Sequence, residues 1–227
     1  MFIHALFFDV GNTLVFADPA RTLAPLWERG IRPSSAQLLG AERVARQEMD
    51  LLISRARKVD QQYWETYYSH LLSRLGISDI SLRLQLVSLA RSSANWMQVL
   101  PGTQELLQGL REKYRLAVIS NSDGGMARLL DSRGLGQCFE AVIDSGTVGH
   151  EKPAPEIFRA ALEALKVTAE SSVYIGDIYS VDYLGARNAG MQAILMDQAD
   201  AYATRNLPRI ESLRELEQRL GELAAGC

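Results

Sequence analysis

Short apolar runs that stop at polar loop residues recur along the chain. Runs of this length, bounded by turn residues, are typical of strands that are buried on both faces of a parallel sheet. Polar residues follow each run, so the pattern predicts parallel strands whose carboxyl ends carry polar loops. The five runs are residues 3–8, 115–119, 141–143, 172–175 and 193–196.

Between these runs, apolar residues recur at the spacing of one helix face. Residues 155–166 show the pattern clearly, because Ile157, Phe158, Ala161, Leu162 and Leu165 fall on one side of a helix. Strands that alternate with helices of this length predict an α/β fold with a doubly wound parallel sheet. Ligands of such sheets bind beyond the carboxyl ends of the strands. Helices are predicted over 103–113, 126–133, 155–166, 181–189 and 210–224.

Residues 17–97, called the insert below, break this alternation. They contain no convincing strand and show helical patterns over 38–56, 63–75 and 82–96. We therefore expect a helical domain formed by 17–97 and an α/β body formed by 1–16 and 98–227. An aromatic stripe in the second helix is interpreted as packing core; its members are Tyr63, Trp64, Tyr67 and Tyr68.

Composition predicts a soluble globular protein, since 47% of the 227 residues are hydrophobic. A net charge of −3 does not favour nucleic acid as a partner. The insert holds 11 basic and 8 acidic residues, and the remainder holds 13 and 19. Ordinary surface variation accounts for a difference of this size, but a basic insert facing an acidic body would also suit an anionic ligand held with a cation.

The two cysteines, Cys138 and Cys227, lie far apart and outside any metal-binding motif. They are interpreted as reduced thiols, and zinc is not expected. The amino terminus lacks the features of a signal peptide, and no stretch approaches the length of a membrane span. We therefore expect a cytoplasmic protein without a membrane partner, and the oligomeric state is not indicated.

The predicted strand ends supply a set of chemically different groups. Each of them has an ordinary structural role when it is taken alone, but their order along the chain is a much more specific signal. Carboxylates bind a hard cation such as Mg²⁺, which also takes phosphate oxygens as ligands. An ammonium and a hydroxyl stabilise the remaining phosphate oxygens. The groups are Asp9, Ser120, Asn121, Lys152, Asp177 and Asp182.

This grouping suits phosphoryl transfer to a carboxylate. Asp9 would attack as a nucleophile and form an aspartyl phosphate, while the cation offsets the repulsion between carboxylate and phosphate. Free amides at the start of the helix after Ser120 would form an additional anion site. The substrate would then be a small phosphorylated molecule.

The chain resembles the haloacid dehalogenase-like (HAD) hydrolases over essentially its whole length. The segment Asp9-Val10-Gly11-Asn12-Thr13-Leu14 is similar to the first family motif, and Val118-Ile119-Ser120-Asn121 is similar to the second. Lys152-Pro153 resembles the third motif, and Gly176-Asp177-Ile178-Tyr179-Ser180-Val181-Asp182 resembles the fourth. The resemblance implies a Rossmann-like core, with the insert acting as a cap over the site.

The resemblance also implies a role for each matching residue. Asp9 would be the nucleophile, with Ser120 and Lys152 assisting catalysis. The metal ligands would be Asp9, the Gly11 carbonyl and Asp177, with Asp182 as a supporting carboxylate. The substrate would be bound by Asn12, Thr13, Ser120, Asn121 and Lys152.

One position departs from the family pattern. Family phosphatases usually carry a second Asp two residues after the nucleophile, as general acid and base, and this chain has Gly11 there. The following residue, Asn12, is still able to adopt a left-handed turn. The loss of a positioned acid or base typically costs about 10²- to 10⁴-fold in rate, and least for leaving groups that need no protonation.

Gly11 leaves three hypotheses open. The first is a Mg²⁺-dependent phosphatase that is restricted to good leaving groups or that uses another residue or water as the acid. The second is C–P bond cleavage through a lysine of the insert, where Lys58 is the single candidate. The third is a catalytically silent binding or regulatory protein. Dehalogenation is not expected, because the Gly176-Asp177 motif with Asp182 is of the Mg²⁺ type. Arg55, Arg57 and Lys58 are the basic candidates for substrate contacts in the insert.

Overall fold

The computed structural model describes residues 2–56 and 62–226. Six parallel strands of this part of the chain form one sheet, in the order β5-β4-β1-β6-β7-β8, and β2 pairs with β3 in a small antiparallel ribbon. The strands are β1 (Ala5–Phe8), β2 (Phe16–Ala17), β3 (Trp96–Gln98), β4 (Arg115–Ser120), β5 (Ala141–Asp144), β6 (Ser172–Gly176), β7 (Gln192–Met196) and β8 (Arg209–Ile210).

Helices cover both faces of the sheet and make up most of the insert. Those of the insert are α1 (Pro19–Glu28), α2 (Ser35–Ala56), α3 (Tyr63–Arg74) and α4 (Ile80–Arg91). The others are α5 (Thr103–Arg111), α6 (Met126–Ser132), α7 (Ser145–Val148), α8 (Pro155–Leu165), α9 (Leu184–Asn188) and α10 (Leu216–Ala225). A π-helical turn, Tyr179–Tyr183, precedes α9. No helix within the described ranges combines the length and the apolarity that a membrane span requires.

The side chains of β1 show why the first apolar run is a central strand. All four of its residues are fully buried, and they alternate between the two faces of the sheet. Leu6 and Phe8 belong to a core that includes residues of α5, α6 and α10, whereas Ala5 and Phe7 belong to a core built on α8 and α9. The predicted doubly wound α/β sheet is therefore confirmed.

The structure confirms the five predicted strands and adds three that the pattern did not predict. β8 is only two residues long, and it replaces the start of a helix predicted from Ile210; α10 begins at Leu216. The expectation of no strand within 17–97 is wrong at both ends of the insert, because Ala17 pairs with Trp96. Trp96 accordingly lies outside α4, which ends at Arg91. Ribbons this short carry too little periodicity to be distinguished from helix ends.

The insert has a small apolar core of its own. Leu26, Leu72, Leu82 and Leu86 are buried together, and they join α1, α3 and α4. The helix α1 was not predicted, since Pro19 and Pro25 interrupt its pattern. The division into a domain of 17–97 and a body of 1–16 and 98–227 stays a prediction. Cys138 is a buried free thiol, and Cys227 lies outside the described residues.

Candidate active site

The carboxyl ends of three neighbouring strands bring the sequence-predicted residues to one place. β1 lies between β4 and β6 in the sheet. Asp9 follows β1, Ser120 ends β4, and Asp177 follows β6. All three residues are buried, with 4% to 8% of their surface exposed. The order of the strands therefore makes neighbours of residues that are far apart along the chain.

Lys152 lies at the centre of this cluster. Its Nζ is 2.6 Å from Asp9 Oδ1 and 2.8 Å from Asp182 Oδ1. Nζ also donates a hydrogen bond of 2.8 Å to the hydroxyl of Tyr174. Burial by itself lowers the pKa of Lys152, but the carboxylates of Asp182 and Asp9 outweigh burial and raise it above its ordinary value. Lys152 is therefore a fixed positive charge beside Asp9.

Both carboxylate oxygens of Asp182 are engaged by the protein. Oδ1 accepts from Lys152 and from the Tyr174 hydroxyl at 2.9 Å, and Oδ2 accepts from the Ile178 amide at 2.9 Å. This arrangement fits the supporting role that was expected for Asp182. Tyr174 was not predicted, because it lies within the apolar run of β6, where an aromatic residue looks like ordinary core.

Among the described residues, Asp177 and Asp9 each keep one oxygen without a hydrogen-bond partner. Asp177 Oδ2 accepts from Asn12 Nδ2 at 3.2 Å and from Arg46 at 3.0 Å. Within the described part of the chain, neither Asp177 Oδ1 nor Asp9 Oδ2 accepts a hydrogen bond. One ligand oxygen from each of Asp9, Asp177 and Asp182 lies within 4.8 Å of the other two. The remaining oxygens of Asp9 and Asp177 are the natural first ligands of a cation.

The electrostatics of the cluster fit a bound divalent cation. Burial is the largest influence on the pKa of Asp9 and of Asp177, and it raises both above the ordinary value despite Lys152 and Arg46. Bringing a cation among these carboxylates lowers such pKa values again. An all-oxygen donor set of buried carboxylates is also the set that Mg²⁺ prefers. The residues present therefore fit the magnesium ion that the sequence suggested.

The turn after β1 has the shape that was expected, but Gly11 has an unexpected neighbour. Asn12 adopts a left-handed conformation with φ 51°, which confirms the prediction for this position. A Cβ atom added to Gly11 would lie 3.3 Å from Cζ3 of Trp96. The Trp96 ring is anchored by its Nε1, which donates to the Ala90 carbonyl at 3.0 Å. The Oγ1 of Thr13 is buried and makes no hydrogen bond with the described residues.

The second loop is organised by Asp144, at the end of β5. Its carboxylate accepts from the amides of Gly124 and Met126, each at 3.0 Å, and from the Ser122 hydroxyl. The amides of Gly124 and Met126 are already paired and are not free to bind an anion. For these two groups the predicted anion site after Ser120 is therefore wrong. The helix α6 begins only at Met126, six residues beyond Ser120.

Asn121 joins this loop to Lys152. Its side chain accepts from the Lys152 amide at 2.7 Å and donates to the Lys152 carbonyl at 3.0 Å. The structure thus gives Asn121 a contact with the backbone of the lysine, beside its predicted contact with substrate. Ser120 is buried at the end of β4, next to this pair of bonds.

The insert reaches the cluster through two side chains of α2 that were not predicted as site residues. Arg46 contacts Asp177, and Asp50 accepts from the amide and the hydroxyl of Ser180, at 2.9 and 2.5 Å. Neither residue stands out in the sequence, because a charged residue on a helix usually faces solvent. Of the basic residues proposed from the sequence, Arg57 and Lys58 lie outside the described residues, and so does the side chain of Arg55.

The aromatic stripe of α3 is half-buried and packs largely on itself. Tyr63 stacks on Tyr67 with ring centroids 6.3 Å apart, and Trp64 contacts Tyr68 at 6.2 Å. Trp64 also approaches Trp96, at 6.1 Å. The stripe therefore continues to the ring that lies over Gly11, which joins the core of the insert to the wall of the site.

Comparisons with known proteins point to one family. A family model described as haloacid dehalogenase-like hydrolase matches residues 3–190. The haloacid dehalogenase-like hydrolase domain-containing protein 3 of Mus musculus is 32% identical over 171 residues, which cover 72% of this chain and 68% of that protein. A glyceraldehyde 3-phosphate phosphatase of Methanothermobacter thermautotrophicus is 27% identical over 212 residues, or 90% of each chain.

The fold is similar to that of a solved structure with bound magnesium. A HAD-hydrolase of Bacillus subtilis superimposes with a TM-score of 0.66 at 21% identity, and the match covers 96% of this chain and 98% of that one. At this identity the likeness concerns the fold alone.

Proposed function

The chain belongs to the haloacid dehalogenase-like hydrolases, and on that premise we propose that it is a Mg²⁺-dependent phosphatase that acts on a small phosphorylated molecule through an aspartyl-phosphate intermediate. The observation that carries the proposal is the Lys152 ammonium, which lies 2.6 Å from Asp9 and 2.8 Å from Asp182 beside Asp177. The relative that is named glyceraldehyde 3-phosphate phosphatase supports a phosphate ester as substrate.

In this proposal Asp9 is the nucleophile. A carboxylate oxygen of Asp9 forms a bond to phosphorus while the bond from phosphorus to the leaving oxygen breaks, and water then hydrolyses the acyl phosphate to free phosphate. Lys152 holds Asp9 in place and neutralises charge on the transferring group. Ser120 lies at the neighbouring strand end, where its hydroxyl would bind a phosphoryl oxygen, and Asn12 and Thr13 line the same turn.

Asp9 and Asp177 would hold Mg²⁺, with the Gly11 carbonyl as a further ligand and Asp182 in support. The cation offsets the repulsion between the attacking carboxylate and the phosphoryl oxygens. Asp182 would act mainly by orienting Lys152, since both of its oxygens already accept hydrogen bonds.

Gly11 and Trp96 together limit the range of phosphate compounds that we expect the protein to hydrolyse. A side chain at position 11 would have to share space with the Trp96 ring, which lies 3.3 Å from the Cβ position. Because residue 11 is glycine, the site lacks a carboxylic acid at the place where the family usually carries one, and the Trp96 ring lies against that position. We expect aryl and acyl phosphates to be hydrolysed faster than alkyl phosphates, because their leaving groups need little or no protonation.

The test is a substrate panel with the purified protein of 227 residues. An aryl, an acyl and an alkyl phosphate are supplied with Mg²⁺ or with EDTA, and phosphate release is measured for the wild type and for Asp9→Asn. We expect phosphate release from the aryl and acyl phosphates that requires Mg²⁺ and that is lost in Asp9→Asn. Circular dichroism shows whether the variant is folded.

Other outcomes select the other hypotheses that the sequence left open. Phosphate release from phosphonoacetaldehyde, lost on replacing Lys58, would replace this proposal with C–P cleavage. No turnover of any ester, together with stabilisation by a phosphorylated ligand, would replace it with a binding role.

A further inference from the structure

Arg46 brings a positive charge from the insert into the acidic cluster. Its guanidinium donates to Asp177 Oδ2 at 3.0 Å and to the Asp177 carbonyl at 3.2 Å. The two side chains are 10% and 5% exposed, so the ion pair is almost completely buried. On its other edge, Nε of Arg46 donates to Glu42 at 3.0 Å. Arg46 and the expected cation therefore share the carboxylate of Asp177.

A divalent cation changes the balance of charge in this cluster. Asp9, Asp177 and Asp182 contribute three carboxylates, and Lys152 and Arg46 contribute two positive charges. Glu42, which also pairs with Arg46, adds a fourth carboxylate, so entry of a divalent cation removes the excess of negative charge and places a second positive charge beside Arg46 at Asp177. Arg46 keeps Glu42 as a partner but shares Asp177 with the cation, so an anion beside its guanidinium would offset the repulsion between the two positive charges.

The phosphoryl group of a substrate is the anion that such a guanidinium suits best. Arg presents a planar fork of N–H donors that matches phosphate oxygens two at a time. Arg46 stands on α2 and contacts Asp177, which follows β6, the neighbour of the strand β1 that precedes Asp9. Glu42 pairs with Nε, so Nη1, which donates to Asp177, is able to change partner without loss of the ion pair with Glu42.

We propose that Arg46 is a phosphate-binding residue whose pairing with Asp177 weakens when a divalent cation binds the other oxygen of that carboxylate. The inference rests on the proposed metal and phosphate site. It has two consequences of opposite sign: Arg46 weakens binding of the cation alone and strengthens binding of phosphate once the cation is present. Because binding of the two ligands is linked, each raises the affinity for the other.

The experiment is isothermal titration calorimetry on the chain of 227 residues, with Mg²⁺ alone and then with inorganic phosphate in saturating Mg²⁺. In Arg46→Gln we expect Mg²⁺ alone to bind about tenfold more tightly and phosphate about tenfold more weakly, which lies within the range of about 5- to 150-fold for coupled sites. Arg43→Gln is the matched control. Arg43 also joins α2 to the body, through the Ala199 carbonyl at 2.9 Å, but it does not contact the acidic cluster.

Opposite changes of the two affinities in one variant separate this role from a structural one. Loss of a purely structural contact would weaken the binding of both ligands. The inference is overturned if folded Arg46→Gln binds Mg²⁺ no more tightly than the wild type, if it binds phosphate no more weakly, or if Arg43→Gln shows the same pattern. Arg46→Lys gives a second test, since it keeps the positive charge beside Asp177, so its Mg²⁺ affinity should stay closer to that of the wild type than to that of Arg46→Gln. Tighter Mg²⁺ binding by Arg46→Lys, equal to that of Arg46→Gln, would also overturn it.

Calorimetry needs no turnover, so the two proposals fail separately. A wild type that hydrolyses no phosphate ester but shows the opposite shifts in Arg46→Gln contradicts the phosphatase and supports the role of Arg46. A working phosphatase without those shifts contradicts the role of Arg46 and leaves the phosphatase intact.

Discussion

Introducing a carboxylate at position 11 tests whether Gly11 causes the expected preference for good leaving groups. Gly11 does not have a positive φ angle, so its backbone accepts a side chain. The obstacle is the Trp96 ring, whose Cζ3 and Cη2 atoms would lie 3.3 and 3.6 Å from the new Cβ. Trp96 cannot move away freely, because its Nε1 is bonded to Ala90 and its ring contacts Trp64.

These contacts set the expected cost of Gly11→Asp. Forcing extra atoms into a packed site costs about 1–3 kcal/mol, and for a chain of this size about 1 kcal/mol lowers Tm by roughly 2–4 °C. The single variant should therefore melt several degrees below the wild type. In the double variant Gly11→Asp with Trp96→Phe the outer ring atoms are absent, so the carboxyl group gains room to approach the leaving oxygen.

The assay compares an alkyl phosphate with an aryl phosphate at saturating Mg²⁺. A positioned acid is worth about 10²- to 10⁴-fold in rate, so the double variant should gain within that range on the alkyl ester and much less on the aryl ester. The control carries Gly11→Asn with Trp96→Phe, which fills the same space without an ionisable group. It should show no gain on either ester.

One result refutes this reasoning. If the double variant is folded and binds Mg²⁺ as the wild type does, but hydrolyses the alkyl ester no faster than the Asn control, the missing carboxylate does not limit the reaction. The preference for good leaving groups would then need another cause.

Three further substitutions test the structure around the site. Lys152→Met leaves Asp9 and Asp182 buried without their shared cation, so chemical denaturation should show a loss of about 3–5 kcal/mol in the free energy of unfolding. Burial raises the pKa of Asp50 from 3.8 to about 6, so the folded state holds the proton of this carboxyl more tightly than the unfolded state does. The stability that this proton contributes to the folded state is complete below pH 3.8 and is lost as the pH rises through 6. Asp50→Asn should therefore gain up to about 3 kcal/mol relative to the wild type between about pH 4 and 7. Gly146→Ala places a Cβ 2.7 Å from backbone atoms and should cost about 1–3 kcal/mol in the same assay.

Two control substitutions test whether these effects have the stated causes. Lys113→Met removes an exposed lysine that is paired with Glu217 and should leave the free energy of unfolding close to that of the wild type, because exposed ion pairs contribute little. Gly109→Ala meets open space within α5 and should stabilise by about 0.5–1 kcal/mol. Equal effects in control and test variants would contradict the proposed physical causes, and so would pH profiles of Asp50→Asn and wild type that run in parallel.

The strands and the chemistry at their ends were readable from the sequence because they depend on local pattern. A strand such as β1, buried on both faces, must be apolar throughout, and the chain must turn polar where it leaves the sheet. Asp9, Ser120 and Asp177 were therefore found at strand ends, and Asn12 was found as a residue that tolerates a left-handed turn. Short strands such as β2, β3 and β8 were not predicted, since two or three residues carry no periodicity.

The tertiary structure alone decided which side chains complete the site. Trp96 reaches Gly11 through the pairing of β2 with β3, Tyr174 reaches Lys152 from a buried strand, and Arg46 reaches Asp177 from a helix 131 positions earlier in the chain. Nothing in the sequence around Trp96, Tyr174 or Arg46 distinguishes it from an ordinary core or surface residue, because each contact depends on how distant elements pack. The sequence by itself thus determined the sheet and the groups at its edge, and packing determined which partners constrain those groups.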